Sequence, residues 1–152
     1  QISAGRVTGY GRPADLIVRW SDGEVTLYSD VDGRGFKKEN RLKKPNSTWK
    51  HATLLTTGDF TGTTNWDLIV RWSDGERTLY QDVTATRLGK ETRMQAPNAR
   101  WKQAKAMTAG RFTANGRPDD LIVRWADGEV TLYADTSTRL GAARTLVPPK
   151  TS

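Results

Sequence analysis

The chain reads as an all-β protein made of three copies of one four-stranded unit. Three observations predict this. The stretch DLIVRWSDGEVTLY from Asp15 returns as DLIVRWSDGERTLY from Asp67 and as DLIVRWADGEVTLY from Asp120, with the opening aspartates 52 and 53 residues apart. An Asp-Gly pair stands in the middle of each copy between two apolar, β-branched runs, the sequence mark of a hairpin. No segment sustains the 3.6-residue apolar period of a helix.

The other landmarks keep step with the hairpins, giving repeats at 1–50, 51–102 and 103–152. The first strand is expected in ISAGRV, TLLTTGDF and KAMTAGRF, around Gly5, Gly58 and Gly110. The second and third are DLIVRW and the run ending in TLY. Asp22-Gly23, Asp74-Gly75 and Asp127-Gly128 are expected to form two-residue type I′ turns. That register sets Trp20 across from Val25, Arg19 from Thr26, Val18 from Leu27 and Ile17 from Tyr28. Leu16, Val18, Trp20, Val25 and Leu27 then share one face, and both faces carry apolar bulk, so the hairpin is expected to be covered on both sides. Arg77 replaces Val25 opposite Trp72, which places that end of the hairpin near solvent. A weaker fourth strand lies in ENRLKKP and ETRMQAP and ends at a proline that cannot extend a ladder. The connector PNSTWKHA from Pro45 recurs as PNARWKQA from Pro97, and the third copy stops at Ser152, one residue short of its tryptophan.

The 152 residues include 24 Lys and Arg against 17 Asp and Glu, a net charge of +7, with 36% apolar residues and a mean hydropathy of −0.68. The basic stretch Arg34 to Lys50 contains seven cations against Glu39 alone, which favours an anionic partner or a solvated face. There is no cysteine, hence no disulfide framework or thiolate metal site, and no apolar run of membrane-spanning length. Gln1 at the start fits a processed terminus or an excised domain.

GDFTGTTNWDLIVRWSDGERTLY resembles the FG-GAP/VCBS type of β-propeller repeat. Gly58, Phe60, Asp67, Leu68 and Val70 carry the likeness. Gly110, Phe112, Asp120 and Leu121 repeat it, as do Gly5, Asp15 and Leu16, with Val7 in place of the aromatic. The resemblance extends to secreted actinobacterial lectin-like propeller domains, and it implies three four-stranded blades of about 52 residues and a secreted setting. Calcium is not expected, although the family often carries an acidic loop before the Asp-Leu pair. The loops TGYGRPAD, TGTTNWD and TANGRPDD put Thr, Tyr, Arg and Trp where carboxylates are needed. The loop from Asn115 to Asp120, with Asp119, comes nearest. Three blades cannot close a ring, whereas two chains would make six. The alternative fold is a β-trefoil, in which three repeats close within one monomer.

Enzyme activity is not expected, nor is a cofactor. His51 is the only histidine, and Asp22, Asp74 and Asp127 are explained by their turns. Repetition instead offers equivalent binding pockets and avidity. The candidate ligand-binding residues form one kit per repeat: Trp20, Trp72 and Trp125, preceded by Arg19, Arg71 and Arg124, with Glu24, Glu76 and Glu129 and with Tyr28, Tyr80 and Tyr133. Trp49 and Trp101 join them as exposed connector platforms, whereas the hairpin tryptophans also suit a core between repeats. Indole faces beside guanidinium and carboxylate groups match a sugar's C–H faces and hydroxyls. A multivalent, lectin-like carbohydrate-binding module is expected. The alternative is a protein-interaction module docking into a larger secreted toxin or protease assembly through Arg34–Lys50. Nucleic acid ranks third, because basic and aromatic residues interleave only in the connectors. Trp66, without a counterpart, is either an idiosyncratic contact or a seam residue.

Overall fold

A computed structural model describes residues 1–8, 12 and 14–151. Gly9, Tyr10, Gly11 and Pro13 of the first loop, and Ser152 at the end of the third copy, lie outside the described residues, with the readings made on them. The chain forms three separate antiparallel sheets, each a meander drawn from one repeat. The first holds β1 (Ile2–Gly5), β2 (Asp15–Arg19), β3 (Val25–Ser29) and β4 (Lys38–Lys43). The second holds β5 (Ala52–Gly58), β6 (Asp67–Trp72), β7 (Arg77–Tyr80) and β8 (Glu91–Gln95). The third holds β9 (Ala104–Gly110), β10 (Asp120–Trp125), β11 (Val130–Ala134) and β12 (Ala142–Val147). The only helical pieces among the described residues are single 3-10 turns at Trp49–His51 and Trp101–Gln103. A trefoil needs strands of different repeats to pair into one barrel. No ladder joins the sheets among the described residues, so that alternative is set aside.

The hairpin register differs from the expected one by a single residue. The Trp20 N–H donates to the Glu24 carbonyl at 2.8 Å and the Gly23 N–H to the Trp20 carbonyl at 3.0 Å. The loop is therefore three residues, Ser21-Asp22-Gly23, with only the glycine left-handed, at φ 89°. This is the type I turn with a glycine bulge, not type I′. Asp22 instead turns its Oδ1 to accept the Glu24 N–H at 2.9 Å. Arg19 now faces Val25, Val18 faces Thr26, Ile17 faces Leu27 and Leu16 faces Tyr28. Ile17, Arg19, Val25 and Leu27 thus share one face, and Leu16, Val18, Thr26 and Tyr28 the other. The second hairpin follows suit: Arg77 lies opposite Arg71 rather than Trp72 and is buried, not near solvent.

These corrected faces build the core. Ile17, Val25 and Leu27 pack against Leu68, Val70 and Tyr80 of the next sheet. Ile69 and Leu79 turn the other way, with Phe60, toward Met107 and Ala109 of the third. Leu121, Val123 and Trp125 gather around Trp101 and Leu54. The first strands also come together. The Thr57 N–H donates to Ser3 Oγ at 3.0 Å and the Ala109 N–H to Thr56 Oγ1 at 2.8 Å. A Cβ on Gly5 would stand 2.4 Å from Thr57 Oγ1, so glycine permits that approach.

The aspartate that opens each hairpin is a staple. Asp67 accepts the backbone N–H groups of Phe60, Thr61 and Asp82, tying the first loop to the end of β7. Asp120 does the same with Phe112, Thr113 and Asp135, and Asp15 with Thr8 and Asp30. Asp30, Asp82 and Asp135 are left-handed, at φ 50–52°, which aims their N–H groups inward.

Gly75→Ala tests the loop assignment. Its φ is 89°, and an added Cβ would lie 2.0 Å from the Asn98 carbonyl oxygen. The left-handed penalty alone is about 1–2 kcal/mol, so urea unfolding is expected to show at least that loss. An unchanged midpoint would contradict the geometry.

Candidate binding site between the repeats

The connectors after β4 and β8 are each shaped by an asparagine. The Asn46 N–H donates to the Asp22 carbonyl at 3.1 Å, while its Oδ1 accepts the Trp49 N–H at 2.8 Å. Asn98 repeats both contacts, with Asp74 at 3.2 Å and Trp101 at 3.1 Å. The 3-10 turn that results drives the indole back between two sheets. Trp49 is 4% exposed and Trp101 5%, so the expectation of exposed platforms is corrected: they are wedges. Trp49 meets Trp72 edge-on with ring centres 5.1 Å apart, and Trp101 meets Trp125 at 5.0 Å. Tyr80 and Tyr133 lie against the same wedges at 5.5 and 5.8 Å. Burial raises the pKa of both phenols.

The hairpin tryptophans carry a relay that the sequence reading passed over. Trp20 Nε1–H donates to Thr26 Oγ1 at 3.0 Å, and that hydroxyl donates to Glu24 at 2.9 Å. Trp72, Thr78 and Glu76 form the same chain at 2.9 and 3.2 Å, and Trp125, Thr131 and Glu129 at 2.9 and 2.7 Å. The signal was legible as W-x-D-G-E-x-T in all three copies. Each glutamate also pairs with an arginine: Glu24 with Arg41 at 3.6 Å, Glu76 with Arg93 at 2.9 Å, Glu129 with Arg100 at 3.3 Å.

The arginines that precede the hairpin tryptophans are not part of this group. Arg19 Nε donates to the Ala52 carbonyl at 3.0 Å and Arg71 to the Ala104 carbonyl at 2.9 Å, each stitching its sheet to the next. Arg124 has no such partner among the described residues and is exposed. Tyr28 stacks edge-on with Phe36 at 4.7 Å and donates its hydroxyl to Glu39 at 3.3 Å. The basic stretch Arg34–Lys50 is largely exposed, and its Lys37 stands 4.0 Å from Asp30.

A cleft of about 580 Å³ opens between the first and second repeats. Trp49, Trp72, Tyr80, Glu76, Glu91 and Lys43 line it. His51 sits on its rim, with Nδ1 3.3 Å from Ser73 Oγ. The second junction differs because two guanidinium groups stack on its indoles. Arg77 lies 4.0 Å from the Trp101 ring centre and Arg100 4.2 Å from that of Trp125. Burial holds the pKa of Arg77 down to about 10, so it remains charged at neutral pH. Val25 and Thr48 occupy the two equivalent positions of the first junction. Accordingly Trp125 is 1% exposed, Trp72 is half-buried, and Trp20, with no wedge before it, is 45% exposed.

In the third loop, carboxylate oxygens of Asp119, Asp120 and Asp135 come within 4.8 Å of one another. Donors already occupy them. The Asn115 amide donates to Asp119 at 2.8 Å and Asp135 at 2.7 Å, and Arg117 pairs with Asp119 at 3.1 Å. Burial pushes the Asp120 pKa up, but hydrogen bonds from Asp135, Phe112 and Thr113 outweigh it and hold the group low. At Asp67 burial prevails and the pKa is raised. Trp66 lies at the seam of the first two repeats, its N–H 3.4 Å from the Arg6 carbonyl.

No protein-family model matches the chain, and no curated protein matches it. Among solved structures it is similar to a chain of the pore form of the Tc holotoxin of Photorhabdus luminescens. The TM-score is 0.51 and the identity 17%, over 90% of this chain and 6% of that one. At that identity the likeness is one of fold.

Removal of a wedge separates packing from ligand contact. Trp101→Ala is expected to cost about 3–5 kcal/mol in chemical denaturation, as for a buried aromatic. A variant with unchanged stability would return Trp101 to the surface.

Proposed function

We propose that this chain is a non-catalytic interaction module, three blades of a β-propeller that dock through their end faces into a larger assembly. One observation carries the reading: residues buried at the internal junctions are open at the two ends. Leu55 is 4% exposed, whereas its counterpart Ile2 in the first repeat is 61% exposed. Phe60 is fully buried against the third sheet, whereas its counterpart Phe112 is 51% exposed. Trp20 at one end lacks a wedge, and Arg124 at the other lacks the carbonyl that Arg19 and Arg71 find. Large apolar side chains on a sheet face favour burial against another sheet. The ends are complementary in kind, as the two sides of a junction are, and such an interface builds rings.

A ring of six blades from two chains is the simplest closed form, and a secreted toxin or protease complex would supply blades in the same way. The likeness in fold to part of a much larger toxin chain supports a role as one section of an assembly. Light scattering tests it: the expected mass is twice 16.9 kDa, and Trp20→Glu is expected to shift the population to monomer. A wild-type monomer at all concentrations would remove the two-chain ring.

A second reading is carbohydrate binding, favoured by the cleft that Trp72 lines together with Glu76 and Glu91. A glycan array with monosaccharide competition is expected to show saturable binding lost in Trp72→Ala. Silence across the array would leave docking as the sole reading.

A further inference from the structure

We propose that the cleft between the first and second repeats is a receptor for a guanidinium group, the arginine side chain of a partner protein. The template for this site lies within the same molecule. At the second junction the Arg100 guanidinium lies 4.2 Å from the Trp125 ring centre and 3.3 Å from Glu129, whose carboxylate takes the hydroxyl of Thr131. The first junction has the same indole, threonine and glutamate in Trp72, Thr78 and Glu76, bonded in the same relay. It has the same wedge and the same tyrosine in Trp49 and Tyr80. What it lacks is a cation on the indole: Arg93 of β8 pairs with Glu76 at 2.9 Å, but no guanidinium stacks on Trp72 among the described residues. The residue before the wedge is Thr48 rather than Arg100, and the space that the longer side chain fills at the other junction is the open cleft.

The electrostatics favour the same occupant. Asp74, Glu76 and Glu91 line the cleft against Lys43; Arg93 already pairs with Glu76, while Asp74 and Glu91 have no ion pair among the described residues. Lys43 pairs with none of these carboxylates among the described residues, and its counterpart at the second junction is Gln95. An indole face attracts a weakly hydrated, planar cation, and a carboxylate at its edge fixes the orientation of that cation through directed N–H donors. Guanidinium meets both requirements, which an uncharged sugar meets only in part. The site faces outward from a junction internal to the chain, so it stands whether or not two chains close a ring.

Titration with a capped peptide carrying a single arginine, followed through the Trp72 indole N–H by NMR, tests this. The resonance is expected to move saturably. The same peptide with citrulline, isosteric but neutral, is expected to bind about tenfold more weakly. Thr48→Arg supplies the cation from within and is expected to abolish the response at Trp72. Arg100→Thr opens the second junction and is expected to make Trp125 responsive, a gain that unfolding cannot produce. The proposal is overturned if Trp72 stays still with the arginine peptide, or if citrulline binds equally well. It is also overturned if Thr48→Arg, folded by its dispersed spectrum, still responds.

Discussion

Two indoles that meet edge to face hold each pair of sheets together. Trp49 against Trp72, and Trp101 against Trp125, close the junctions, and much of the local design brings those rings into contact. The asparagine of the connector bonds the hairpin loop and turns the backbone so that the wedge points inward. The left-handed glycine of that loop leaves room for the asparagine carbonyl. The threonine and glutamate hold the hairpin indole by its N–H, so the ring presents a fixed edge. A lone sheet with apolar residues on both faces would leave them in water; stacked neighbours bury them.

The two junctions keep this frame and differ in how it is filled. Val25 and Thr48 at the first become Arg77 and Arg100 at the second. The cations cover the second pair of indoles and close the space, while smaller residues at the first leave Trp72 half-buried beside a cleft. Near-identity of the repeats thus preserves the frame, and divergence at two positions separates a sealed junction from an accessible one. The same contrast separates the two functional readings. A sugar would use every repeat alike, whereas a partner protein can use one junction alone.

Much of the fold was legible because the repeats carry strong local signals. The Asp-Gly pairs, the β-branched runs and the terminal prolines placed the strands, and hairpins apolar on both faces foretold stacked sheets. The register was not legible, because Asp-Gly suits both a two-residue and a three-residue loop. One residue of loop length moves every side chain of one strand to the opposite face relative to its partner strand. That single step misplaced Arg77, which stacks on the tryptophan of the following connector and not on that of its own hairpin. The site was harder still. Pro-Asn before Trp49 reads as a loop, where an aromatic looks exposed. The local bond from the Trp49 N–H to Asn46 Oδ1 acts together with a distant one from the Asn46 N–H to the Asp22 carbonyl, and no short window of sequence contains the second pair. The relay threonines were readable, since Thr26, Thr78 and Thr131 stand at a fixed distance after each tryptophan, but in a strand they look like ordinary β-formers.

The middle sheet has neighbours on both faces, while each end sheet has a neighbour on one and β12 is exposed along its whole length. Leu68, Ile69 and Val70 of the middle sheet are fully buried, so their amide protons are expected to exchange with water among the slowest.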